Sequence, residues 1–172
     1  MKKILLMAAL AVSSIAANAQ VWVGGSVSYL NEDSYGTKDN YITVAPEVGY
    51  TLDENWALAI DLTARFRSGD SKSQTTFGVT PFARYTFFRS GIVSAFVDGG
   101  FNVSAFKQEG DDSKTTWGVG VRPGLAIALT PKFSFVTKLG YLGYENDDRY
   151  EQKRLGFGVN GEGLSFGLYY NF

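Results

Sequence analysis

The chain contains no cysteine and no histidine. Without cysteine there can be neither a disulfide framework nor a thiolate metal site. Without histidine the commonest general base and the commonest metal ligand are both missing. Prolines number only four, and Lys plus Arg (16) nearly balance Asp plus Glu (17), which gives a nucleic-acid partner no electrostatic support. No apolar run reaches the roughly 20 residues that a membrane-spanning helix needs. What is abundant is glycine, at 20 of 172 residues, and aromatic side chains, at 15%. The composition does not change along the chain, so one domain is the expectation.

The first segment reads as a targeting signal. Met1-Lys2-Lys3 is basic, residues 4–15 are apolar and uncharged, and Ala17-Asn18-Ala19 has the small-residue pattern of a signal-peptidase site. Residues 1–19 are therefore expected to be a cleaved signal peptide and 20–172 the mature domain. Loss of Lys2 and Lys3 leaves 14 basic and 17 acidic residues, a formal charge of −3.

Beyond this leader the apolar residues alternate with a period of two, the pattern of strands with two unlike faces. Val21, Val23, Gly25, Val27 and Tyr29 form the first of eight such stripes. Phe133, Phe135, Thr137, Leu139 and Tyr141 form the seventh, and Leu164, Phe166, Leu168, Tyr170 and Phe172 the last. The connections alternate in length. Long polar segments are expected at 31–40, 67–74, 107–114 and 145–153, and tight turns at 53–55, 89–91 and 130–132. An even set of strands joined in this way predicts an all-β, eight-stranded antiparallel up-and-down transmembrane barrel with short periplasmic turns and longer extracellular loops. Near the end, Leu155, Phe157 and Val159 have the parity opposite to Leu164–Phe172, so a β-bulge is expected at 160–163.

Charge placement decides between a membrane barrel and a soluble one. Glu47, Asp61, Arg65, Arg84, Asp98, Arg122 and Lys138 lie within the expected strands, and each falls on the face opposite the apolar stripe. The register of Glu162 is left open. Arg or Lys facing lipid near the bilayer midplane costs about 2–4 kcal/mol, which accounts for the exclusion. A lipocalin-like barrel would reverse the faces, with its polar side in water. Here that side is mainly small, as in Gly118, Gly120, Gly124, Ala126 and Ala128, which suits the inside of a narrow barrel. Tyr50, Trp56, Phe87 and Phe133 lie on the apolar stripes beside the tight turns, where an aromatic girdle would sit. Pro46, Pro81 and Pro123 recur shortly before tight turns. Each deletes a ladder donor, so bulges are expected at these sites.

The segments APEVGYTLDENWALAIDL, TPFARYTFF, VRPGLAIALTPKFSFVTKLGYLGYE and LSFGLYYNF resemble the small outer-membrane β-barrel, porin-like family related to the OmpA and OmpX barrels. The resemblance covers residues 21–172. It implies residence in the outer membrane of a Gram-negative bacterium, contact with outer-membrane lipid and lipopolysaccharide, and handling by the barrel assembly machinery. It further implies that the last strand, with Leu164, Phe166, Leu168, Tyr170 and Phe172, carries the assembly signal. A fold-defined family says less about activity than about location.

Three functions remain to be weighed. Eight strands leave an interior that side chains can fill. Glu47, Asp61, Arg65, Arg84, Asp98, Arg122 and Lys138, with the bulky Trp22, Phe82 and Phe96, would form a salt-bridged plug, leaving a structural or surface-interaction role toward an extracellular ligand of open chemistry. The inner glycines would alternatively leave a thin path for ions or small solutes. A lipid-modifying enzyme is disfavoured by the absence of histidine. No cofactor, catalytic residue or metal site is called for. The loop acids, among them Asp111, Asp112, Asp147 and Asp148, match no calcium-loop spacing.

Overall fold

The computed structural model describes residues 21–34, 37–69, 73–108, 114–147, 152–158 and 164–172. These residues form ten strands: β1 (Val21–Ser34), β2 (Thr37–Thr51), β3 (Trp56–Gly69), β4 (Gln74–Ser90), β5 (Val93–Gln108), β6 (Lys114–Ala128), β7 (Phe133–Lys138), β8 (Tyr141–Asp147), β9 (Gln152–Gly158) and β10 (Ser165–Asn171). All pairings are antiparallel. β1 through β6 pair in sequence order, β6 pairs with β7 along one half and β8 along the other, and β10 joins β7 back to β1. Thus β7 and β8 are two parts of one staggered strand, and β9 and β10 are two parts of another. The result is a closed eight-stranded barrel, with β10 closing onto β1 at residues 22–27.

The stripes face outward. Val27, Tyr29, Leu58, Phe77, Val119 and Leu168 are between 50% and 65% exposed, while the intervening residues turn into the lumen. A protein in water would not leave an apolar band around its whole girth, whereas a bilayer is the solvent for it. The three tight turns carry local signatures. Asp53 Oδ1 accepts hydrogen bonds from the amides of Asn55 and Trp56, at 2.8 and 2.9 Å. Thr130 Oγ1 accepts from those of Lys132 and Phe133, at 3.2 and 3.0 Å. Both cap the turn with a short polar side chain. The third turn uses Gly91 at φ 56°, a conformation in which a Cβ is disfavoured.

Several expectations need correction. The first and fourth long connections are shorter than the polar composition suggested. The β1–β2 ladder continues to Ser34↔Thr37 and the β8–β9 ladder to Asp147↔Gln152. Side chains choose the solvent, but backbone groups leaving the bilayer still gain by pairing across the strand. These longer strands carry further charges. Lys38 and Lys107, at the outer ends, share the parity of the outward stripes and are exposed.

The prolines behave differently from one another. Registers on either side of Pro46 and Pro81 agree, so the ladder lacks a pairing there but has no bulge. At Pro123 the disturbance appears on the facing strand. Gly124 pairs with Lys138 and Val121 with Leu142, so the staggered strand holds one extra residue at Leu139–Gly140. The Leu139 amide donates to Pro123 O at 2.8 Å, and Gly140 adopts φ 64°. The extra residue switches parity, so the seventh stripe runs through Leu139 to Leu142 and Tyr144, not to Tyr141. A further bulge lies at Phe87, between the pairs Thr86↔Phe96 and Phe88↔Ala95, which exposes both Phe87 and Phe88. The bulge expected at 160–163, and Glu162 with it, lies outside the described residues. The strands flanking it, β9 and β10, run in the same direction, both antiparallel to the β7–β8 strand.

Candidate functional site

At one level of the barrel the lumen holds a cluster of rings with ions just beside them. Trp22, Phe82, Phe96, Val136 and Tyr169 form the buried apolar cluster. Each of its four aromatic residues has glycine as a direct cross-strand partner: Trp22↔Gly49, Tyr169↔Gly24, Phe82↔Gly100 and Phe96↔Gly124. Three of the rings lie over their glycines so closely that a Cβ would come within 2.1 Å of Trp22 at Gly49, 2.1 Å of Tyr169 at Gly24 and 2.3 Å of Phe96 at Gly124. Gly49, Gly24 and Gly124 are therefore seats for rings. Trp22 and Tyr169 stack with centroids 4.5 Å apart.

The ions are interleaved with this layer. Arg84 on β4 makes two hydrogen bonds to Asp98 on β5, Nε to Oδ1 at 2.6 Å and Nη2 to Oδ2 at 2.7 Å. A two-pronged guanidinium–carboxylate contact is among the strongest side-chain pairs. Its guanidinium carbon lies 3.9 Å from the Phe96 centroid and 5.2 to 5.6 Å from those of Trp22, Tyr169 and Phe82. Lys138 on β7 pairs with Glu47 on β2 and, at 3.4 Å, with Asp98. The Tyr169 hydroxyl donates to Glu47 and accepts from Arg84 Nη2 at 3.3 Å. Five strands around the ring thus contribute to one network. Its two acids and two bases are all buried, a condition ions meet only when paired and hydrogen-bonded.

The other three lumen charges have different surroundings, with Arg122 directly across the ladder from Asp98. Asp61 is buried and accepts from Thr63 Oγ1 at 2.7 Å. Arg65 is half-buried and donates Nε to Thr43 Oγ1 at 3.3 Å. Arg122 is half-buried, facing a small cavity that Asp61 also lines. Tyr169 was missed in the sequence, although the signal was there: it is an aromatic with the parity opposite to Leu164, Phe166, Leu168, Tyr170 and Phe172. Also missed was the pair Arg67–Asp39 near the outer end, where Arg67 Nε donates to Asp39 at 3.1 Å.

The aromatics near the turns are outward and exposed: Tyr50 40%, Trp56 46%, Phe87 59% and Phe133 47%. Phe133, Tyr170 and Phe172 form one edge-to-face chain, with centroids 5.1 and 4.9 Å apart. Leu164, Phe166 and Leu168 also face outward, and the Phe172 amide donates to Val21 O at 3.1 Å. The last strand is thereby fastened to the first.

A family model described as outer membrane protein beta-barrel domain matches residues 4–172. The chain belongs to this family. As an outer membrane β-barrel it resides in the outer membrane of a Gram-negative bacterium. No curated protein matches it in sequence. Among solved structures it is similar to Neisserial surface protein A (18% identity, TM-score 0.58, covering 88% of this chain and 96% of that one). It is also similar to the N-terminal β-barrel domain of Pseudomonas aeruginosa OprF (14% identity, TM-score 0.58, covering 90% and 98%). At these identities the likeness extends to the fold of this outer membrane β-barrel.

Proposed function

We propose that this barrel is a membrane-embedded scaffold whose lumen is plugged by the Arg84–Asp98–Lys138–Glu47–Tyr169 network, and that its role is structural or one of surface interaction through its outer hairpins. The supporting observation is the interleaving of this network with four buried aromatic rings, three of them seated on glycines. An ion path would have to break buried charge pairs and move aromatic side chains together, each already close-packed. In this account residues 1–19 are a cleaved export signal. Leu164, Phe166, Leu168, Tyr170 and Phe172 serve recognition by the barrel assembly machinery. The exposed Lys107 favours the anionic groups of lipopolysaccharide. Proteoliposomes carrying the barrel should swell in arabinose no faster than protein-free vesicles; rapid swelling would contradict the plug.

A narrow channel is the second reading, favoured by the small cavity beside Arg122. If it conducts, Arg84→Ser or Arg122→Ser should alter the ratio of cation to anion permeability, measured as a reversal potential across a salt gradient. An unchanged reversal potential would count against it.

A further inference from the structure

Arg84, Lys138 and Arg67 each have a carboxylate within ion-pair distance. Arg65, half-buried on the inward face of β3, has no ion pair among the described residues. Its one hydrogen bond among them runs from Nε to Thr43 Oγ1 at 3.3 Å, which leaves both Nη groups without an acceptor there. The row in which it stands is neutral. Its direct cross-strand partners are Thr43 on β2 and Thr76 on β4, and Thr76 in turn faces the buried Phe106 on β5. Each of the two hydroxyls has already accepted a hydrogen bond, Thr43 from Arg65 and Thr76 from Gln74 Nε2 at 3.4 Å. A hydroxyl that accepts still has its own proton to donate. Neither finds an acceptor among the described residues, so a cation and two O–H donors stand side by side across three strands. Two acids lie within a few residues of this row. Asp39 is matched by Arg67. Asp61 lies farther along β3 toward the periplasmic turn, and Thr63, whose hydroxyl it accepts, stands between it and Arg65.

We infer that Arg65, Thr43 and Thr76 form a binding site for a small oxyanion, a carboxylate or a phosphate, in the outer half of the lumen. The paired Nη groups of a guanidinium offer a fork that matches two oxygens of one oxyanion. The hydroxyls of Thr43 and Thr76 add a donor from the strand on either side. A halide presents a single atom and gains less from such a fork. Asp61 repels an anion, so the ligand lies on the side of Arg65 that is nearer the outer hairpins. Arg65 is half-buried, whereas Arg84 and Lys138 are buried, so part of its side chain stays open to solvent while the rest is shielded. In such a place a charge-assisted hydrogen bond is stronger than it would be in water. No ion pair among the described residues has to break for the anion to bind. The site does not depend on whether the deeper layer around Arg84 conducts.

The test uses the whole mature barrel, isotope-labelled in detergent micelles, titrated separately with sodium phosphate, sodium acetate and sodium chloride. Phosphate and acetate should produce saturable NMR shifts at the Arg65 side-chain Nε–H and at the Thr43 and Thr76 backbone amides, and the tighter of the two identifies the oxyanion class. Chloride should bind at least about tenfold more weakly. Arg65→Lys keeps the charge and loses the fork, and should weaken the oxyanion by about tenfold. Thr43→Val combined with Thr76→Val keeps the shape and removes both hydroxyls, and should weaken it by about tenfold as well. Absence of saturation by either oxyanion in the native protein overturns the inference, as does chloride binding as tightly as they do. An unaltered oxyanion affinity in either variant also overturns it. The comparison of the three salts is made on the native chain and so does not depend on a variant folding.

Discussion

Arg84 holds Asp98 through two hydrogen bonds and stands among four aromatic rings, so its removal would leave Asp98 with Lys138 alone and open a gap among the rings. Breaking a buried pair from one side costs about 3–5 kcal/mol, whereas replacing both members by apolar groups is far milder. Arg84→Met should therefore destabilise the barrel by about that amount in urea unfolding from lipid vesicles. Arg84→Met with Asp98→Leu should cost clearly less than the two single changes added together, and strict additivity would show that the pair is not coupled. The glycine seats make a second prediction. Gly124→Ala puts a methyl group into the Phe96 ring and should cost about 1–3 kcal/mol by overpacking. At Gly99 the nearest atom to an added Cβ is 3.8 Å away, on Val121, so Gly99→Ala should be tolerated, and equal costs at the two sites would contradict the seating. At this scale the inward parity of the charged residues could be read from alternation. Which of them meet in the network around Arg84 could not, because it depends on the stagger of strands that are distant in sequence.

Among the elements, the staggered β7–β8 strand departs furthest from simple alternation. Its extra residue lies opposite Pro123, whose nitrogen has no hydrogen to offer, and the Leu139 amide bonds to the Pro123 carbonyl instead. Gly140 makes the detour at φ 64°, where an L side chain costs about 1–2 kcal/mol. Gly140→Ala should lower stability by that amount in the same unfolding assay; no loss would mean that the detour is not required. The parity switch can be checked separately. A nitroxide at Leu142 should be accessible to oxygen dissolved in lipid and one at Gly143 shielded, whereas unbroken alternation from Leu139 requires the reverse. The cause of this bulge lies on a neighbouring strand, so a local reading of Tyr141 could not detect it. The long connections were misjudged for a related reason: polar side chains at 31–40 mark the exit from lipid, while the backbone ladder continues past it.

The whole molecule combines two solvents in one wall. Outward alternation specifies the bilayer, and inward alternation specifies an interior in which every ring and ion needs a partner. Eight strands, the short turns and the family membership all follow from period-two patterning, because that pattern is local and repeated around the barrel. The proposed plug is a property of closure, since Glu47, Arg84, Asp98, Lys138 and Tyr169 meet only once β10 has joined β1 to β7. It follows that the seal should hold as long as the barrel does. The most direct test is single-channel recording of the purified barrel in planar bilayers at both polarities. A plugged lumen predicts a baseline with no stable steps, and large, long-lived conductance steps from the folded native chain would contradict it.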